Sequence, residues 1–65
     1  MTVIYDKNKN SITELIKLLK DKNNTNYFFD IANIVIKFED NKEDYELNDV
    51  KTISLNKNGE YEFEF

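Results

Sequence analysis

The chain contains a single glycine, Gly59, between two stretches in which apolar and polar residues alternate, Ile53-Ser54-Leu55 and Tyr61-Glu62-Phe63. Alternation with a period of two marks half-buried strands, and Asn58-Gly59 marks the reversal between them. The apolar pattern then selects the turn. A two-residue Asn58-Gly59 loop sets Leu55 opposite Glu62 and Ile53 opposite Glu64, which carries carboxylates onto the core face. A three-residue Lys57-Asn58-Gly59 loop, with Gly59 in the left-handed region as a G1 bulge, sets Leu55 opposite Tyr61 and Ile53 opposite Phe63. The second register is expected. It turns Glu60, Glu62 and Glu64 outward beside Ser54 and Thr52, with Tyr61, Phe63 and Phe65 inward.

Upstream, Ser11-Ile12-Thr13-Glu14 forms a capping box, in which the Ser11 hydroxyl and the Glu14 carboxylate each accept from the other's backbone N–H. Ile12, Leu15, Ile16 and Leu19 follow at helical spacing, with Leu18 widening the stripe. Lys17, Lys20 and Lys22 occupy the last turns, where cations complement the helix dipole. The helix is expected over about residues 11–22, ending at Asn23-Asn24. Thr2 to Tyr5 reads as a short strand. Ile34, Ile36 and Phe38 alternate with Val35, Lys37 and Glu39, and Tyr45 and Leu47 alternate with Asp44 and Glu46. A turn at Asn41-Lys42 would pair Phe38 with Tyr45 and Ile36 with Leu47. Phe28 and Phe29 are adjacent and point to opposite sides of any strand, so one lacks an obvious place in a core. Residues 27–33 either continue the following strand through a bulge near Ala32-Asn33 or form a short turn.

These elements predict one α+β domain over residues 1–65, with an amphipathic helix packed on a mainly antiparallel sheet of four to five strands. The strands fall near residues 2–5, 27–39, 43–48, 50–56 and 60–65, in the order β-α-β-β-β-β. A chain of 65 residues buries only about 60% of the surface its unfolded form exposes, and this one has no Cys to staple it. Nine aromatic residues, each able to bury about 150–250 Å², support a compact core or a homodimer. No apolar run approaches the ~20 residues of a membrane span, and the N-terminus lacks a signal-peptide layout, so a cytoplasmic protein is expected. Asn23-Asn24-Thr25 then reads as a polar turn rather than a glycosylation site. The richness in Asn, Lys, Ile, Phe and Tyr matches AT-rich codons and points to a low-GC bacterium or its phage.

Charge is unevenly distributed. Residues 1–38 hold six lysines and four acids, whereas residues 39–65 hold nine acids and three lysines, so the net −4 is about +2 followed by about −6. The chemistry of catalysis is poorly represented. With no His or Cys, no Arg and one Gly, the chain lacks the usual nucleophile–base pairs, zinc frameworks and phosphate-cradling loops. The acids at Asp40, Glu43 and Asp44 do not match a calcium loop, because Lys42 and Tyr45 stand at its third and sixth positions. No cofactor or metal is expected, and the protein is read as non-enzymatic. The lysines in and around the helix are interleaved with acids, which argues against direct nucleic-acid binding.

The remaining candidate is an acidic sheet face composed of Glu39, Asp40, Glu43, Asp44, Glu46, Asp49, Glu60, Glu62 and Glu64. Outward carboxylates also keep an exposed sheet soluble and discourage edge-to-edge association. Carboxylates on alternate residues of a strand lie about 6.5–7 Å apart, close to the separation of successive phosphates along one nucleic-acid strand. Asp40-Asn41-Lys42-Glu43-Asp44-Tyr45-Glu46 and Glu60-Tyr61-Glu62-Phe63-Glu64-Phe65, in a chain this small and acidic, resemble phage-encoded anti-defence inhibitors of the anti-CRISPR type. The resemblance implies a protein that acts without catalysis by occupying a basic surface of a host protein, such as a nucleic-acid-binding effector. The alternative expectation is a structural or accessory protein that self-associates or docks through Phe28 or Phe29.

Overall fold

The computed structural model describes residues 2–20, 27–39 and 41–65. They form strand β1 (Thr2–Asp6), helix α1 (Ile12–Lys20), strands β2 (Tyr27–Asp30), β3 (Val35–Phe38) and β4 (Asn41–Glu46), a 3-10 turn (Leu47–Asp49), and strands β5 (Thr52–Leu55) and β6 (Tyr61–Glu64). The class is α+β, as expected, but the sheet is not single. Two three-stranded antiparallel sheets form, in the orders β1-β5-β6 and β2-β3-β4. No helix among the described residues is long and apolar enough to cross a membrane.

The helix starts as its capping box dictates. Ser11 N–H donates to Glu14 Oε1 at 2.7 Å, and Glu14 N–H donates to Ser11 Oγ at 3.2 Å. Leu15 and Leu19 are fully buried and Ile16 and Leu18 half-buried, while Ile12 in the first turn stays largely exposed. Lys22 and the Asn23-Asn24 helix end, with the sequon, lie outside the described residues.

The terminal hairpin has the expected register, with Leu55 opposite Tyr61 and Ile53 opposite Phe63. Gly59 takes φ +80°, and its N–H donates to Asn56 O at 3.0 Å. The Asn56 side chain completes the turn, its Oδ1 accepting from the N–H groups of Asn58 and Glu60, both at 2.9 Å.

The other hairpins correct the expectations. Residues 27–38 are two strands, not one, because Asp30 organises a turn: its Oδ1 accepts from Ala32 and Asn33 N–H at 3.1 and 3.2 Å, and its Oδ2 accepts from Asn33 Nδ2 at 2.9 Å. At the next reversal Asn41 and Lys42 belong to β4 rather than to the turn, and Ile36 pairs with Tyr45 instead of with Leu47. The slip is by two residues. Two registers that differ by an even number bury the same side chains, so alternation alone does not distinguish them. Leu47 leaves the strand and enters the core through the 3-10 turn, and both it and Val50 are buried. The turn takes the chain off the second sheet, and β5 then pairs with β1.

Aromatic rings join the two sheets. Tyr27, Phe38 and Tyr45 of the second sheet meet Tyr61, Phe63 and Phe65 at centroid separations of 4.5–6.1 Å, as stacked and edge-to-face pairs. Beside them Tyr5, Leu15, Leu19, Tyr27, Ile36, Leu47, Val50 and Ile53 form the buried cluster. The Tyr27 hydroxyl donates to Leu19 O at 3.3 Å, so the helix is tied to the ring interface. Burial, with Tyr61 nearby, pushes the Tyr27 phenol well above its ordinary value.

Candidate acidic interaction surface

A β-bulge decides what the first sheet shows to solvent. In β1, Val3 pairs with Ser54 and Tyr5 with Ile53, so Ile4 is an extra residue. Without it Val3 and Tyr5 would share a face. With it, Tyr5 turns into the core and Val3 is 59% exposed. The bulge also brings Asp6 opposite Thr52. The face turned away from the rings is therefore two rows deep, Val3–Ser54–Glu62 and Asp6–Thr52–Glu64. Glu60 enters at the hairpin end. These paired positions carry three carboxylates and no lysine. Asp6 was missed by the sequence reading, which ended the first strand at Tyr5, and only the bulge reveals its place.

Neutral donors hold the glutamates. Thr52 Oγ1 donates to Glu64 Oε1 at 3.0 Å, and Asn56 Nδ2 donates to Glu62 Oε2 at 3.3 Å and Glu60 Oε1 at 3.4 Å. All three glutamates are exposed. A hydroxyl and an amide position a carboxylate without cancelling its charge, so the row keeps its negative field.

The other expected site residues lie elsewhere. Asp44 and Glu46 are exposed on the outward face of the second sheet, in the rows Phe28–Lys37–Asp44 and Asp30–Val35–Glu46. Lys37 stands directly opposite Asp44 and also helps to hold the Asp30 carboxyl below its ordinary value, a shift led by the Asn33 hydrogen bonds. This face has mixed charge. Glu43 is exposed in the irregular part of β4, Glu39 at the end of β3 and Asp49 in the 3-10 turn, while Asp40 lies outside the described residues. The nine acids therefore do not make one sheet face. The aromatic interface lies between the glutamates of β6 and the acids of β4.

Neither metal nor pocket chemistry is assembled from these groups among the described residues. Among the described residues no set of three or more carboxylates is placed to hold a metal ion. A hollow of about 320 Å³ between β1 and α1 is lined by Ile4, Tyr5, Asn10, Glu14, Lys17 and Leu18. Its Glu14 carboxylate already caps the helix, and Asn10 Oδ1 accepts from Asp6 N–H at 2.9 Å.

No family model matches the chain, and no curated protein or solved structure matches it either.

Proposed function

We propose that this protein is a non-catalytic inhibitor of the small phage-encoded type, docking the outward face of the β1-β5-β6 sheet on a basic surface of a host protein. The observation that carries the reading is the glutamate row Glu60, Glu62 and Glu64, exposed and held by neutral partners on a face whose paired positions contain no lysine. Such a row presents charge at about 6.5–7 Å intervals to a groove that otherwise takes phosphates. Asp6 extends the charge by two strands. The acids of β4, beside Lys37, contribute little to this surface.

The test is a three-way comparison on a partner protein captured from lysate of a low-GC bacterium: wild type, Glu60→Gln/Glu62→Gln/Glu64→Gln, and Asp44→Asn/Glu46→Gln. Steering charges act chiefly on association rate and its salt dependence. The β6 variant is expected to bind more slowly and with a flatter salt dependence, and to release the partner's nucleic-acid binding from competition, whereas the β4 variant is expected to stay close to wild type. Equal on-rates for wild type and the β6 variant at low salt would reduce the row to a solubilising feature.

A further inference from the structure

Among the described residues each three-stranded sheet has two edges, and three of the four carry devices that discourage pairing with another chain. Strand β1 is bulged at Ile4 and ends in Asp6. Strand β4 is irregular and carries Glu43, Asp44 and Glu46. Strand β6 carries Glu62 and Glu64. Strand β2 differs. Its four residues pair with β3 without a register shift, from Tyr27 opposite Phe38 to Asp30 opposite Val35. Tyr27, Phe28 and Phe29 are uncharged, and Asp30, the single acid, is occupied by the Ala32 and Asn33 donors of its own turn. Phe28 is 62% exposed on the outward face.

We infer that β2 is the edge through which a second copy of this chain adds, joining two β2-β3-β4 sheets into one six-stranded antiparallel sheet. Charge selects both the edge and the occupant. The chain carries −4, so two copies meeting at β6 would set carboxylates against carboxylates, which is destabilising at directly opposed positions. At β4, where Lys42 is the one cation beside three acids, the irregular register adds to the obstacle. At β2 the same approach brings neutral aromatic side chains together, with Lys37 as the next side chain inward on the same row. Parity limits the axis to one that passes through a residue, and side-chain type chooses among these, because an axis through Phe29 would set Phe28 against Asp30. Residues directly opposite in an antiparallel pair share a face, and Phe28 faces outward while Tyr27 and Phe29 face the ring interface. A two-fold axis through Phe28 meets that condition: it places Phe28 against its own copy and Tyr27 against Phe29 of the other chain, all aromatic pairs. The dimer leaves the glutamate face of the other sheet uncovered, so this inference stands independently of the inhibitor reading.

The chain has no cysteine, which makes a single introduced thiol a direct probe of the axis. Opposed Cα atoms in an antiparallel pair lie about 4.5–5.5 Å apart, inside the roughly 4.4–6.8 Å range of a disulfide. Phe28→Cys is expected to form a disulfide dimer readily under mild oxidation. Lys37→Cys, one strand inward, would hold its thiols about 14 Å apart across the axis and is expected not to cross-link. Sedimentation of the wild type should shift from monomer toward dimer over roughly 10–500 μM, the weak range of an interface below about 1,200 Å². Phe28→Lys should remain monomeric with an unchanged melt. A wild type monomeric throughout, Phe28→Lys still dimeric, or equal cross-linking of the two cysteine variants would each overturn the inference.

Discussion

Among the described residues two take left-handed backbone conformations, and only one is signalled by its type. Gly59, at φ +80°, closes the terminal hairpin, and a Cβ built there meets nothing within 4 Å. The penalty for substitution is therefore torsional rather than steric. Gly59→Val is expected to destabilise the fold by more than about 1 kcal/mol, and a chemical-denaturation midpoint equal to wild type would contradict the G1-bulge turn. Ile34 takes φ +58°, where an L-residue is disfavoured by about 1–2 kcal/mol. Its carbonyl accepts from Leu47 N–H at 3.2 Å, which ties the Asp30 turn to the start of the 3-10 segment. At the helix start, Ser11→Ala should cost about 0.5–2 kcal/mol. The Ser11 backbone donor, then its hydroxyl, Asn10 and Lys17, hold the Glu14 carboxyl below its ordinary 4.5, against a smaller opposing effect of burial. A carboxyl lowered in the folded state adds stability above its unfolded value that disappears as pH falls through the folded one. NMR titration should accordingly show Glu14 titrating below 4.5 in the wild type and closer to it in Ser11→Ala.

Among the elements, the two main hairpins differ in how strongly each specifies its own register. For β5–β6 the competing registers differ by one residue, and the wrong one buries Glu62 and Glu64. For β3–β4 they differ by two, and either one aligns Ile36, Phe38 and Tyr45 on one face. The choice there rests on Leu47, which is buried from the 3-10 turn, and on the rings that β6 brings across. Phe38 and Phe63 meet edge-to-face at 5.1 Å and belong to different sheets. A double-mutant cycle with Phe38→Leu and Phe63→Leu is expected to show a coupling of about 0.5–1.5 kcal/mol. A coupling near zero would mean that the sheets are held together without this ring pair.

For the whole molecule, the division of charge between two outward faces governs behaviour more than the net −4 does. The β6 glutamates lie on one strand face and repel one another, while the acids of β4 have Lys37 among them. Glu60→Gln/Glu62→Gln/Glu64→Gln retains acceptors for Asn56 and Thr52 and removes the repulsion. Its melting temperature at low salt should equal or slightly exceed that of wild type, and a clear loss in a thermal melt would show that the charges themselves support the fold.

The sequence by itself determined the features encoded within a few residues: the capping box at Ser11, the amphipathic stripe of α1, the left-handed Gly59 and the register of the last hairpin, and with them the outward row Glu60, Glu62 and Glu64. Local chemistry suffices for these, because a cap, a turn residue and a period of two each act over a short span. Phe28 and Phe29 also declared that one ring lacked a core position, and the exposed ring is Phe28. Tertiary structure decided which strands pair. Alternation assigns side chains to faces but says nothing about neighbours distant in the chain, so the union of β1 with β5, the division into two sheets and the two-residue slip of β4 were not legible. The bulge at Ile4 was hidden for a related reason: Val3 and Tyr5 are both apolar, and only pairing with Ser54 and Ile53 sends one outward and the other inward. That inversion places Asp6 with the glutamates, and the separate sheet of β4 removes Asp44 and Glu46 from them.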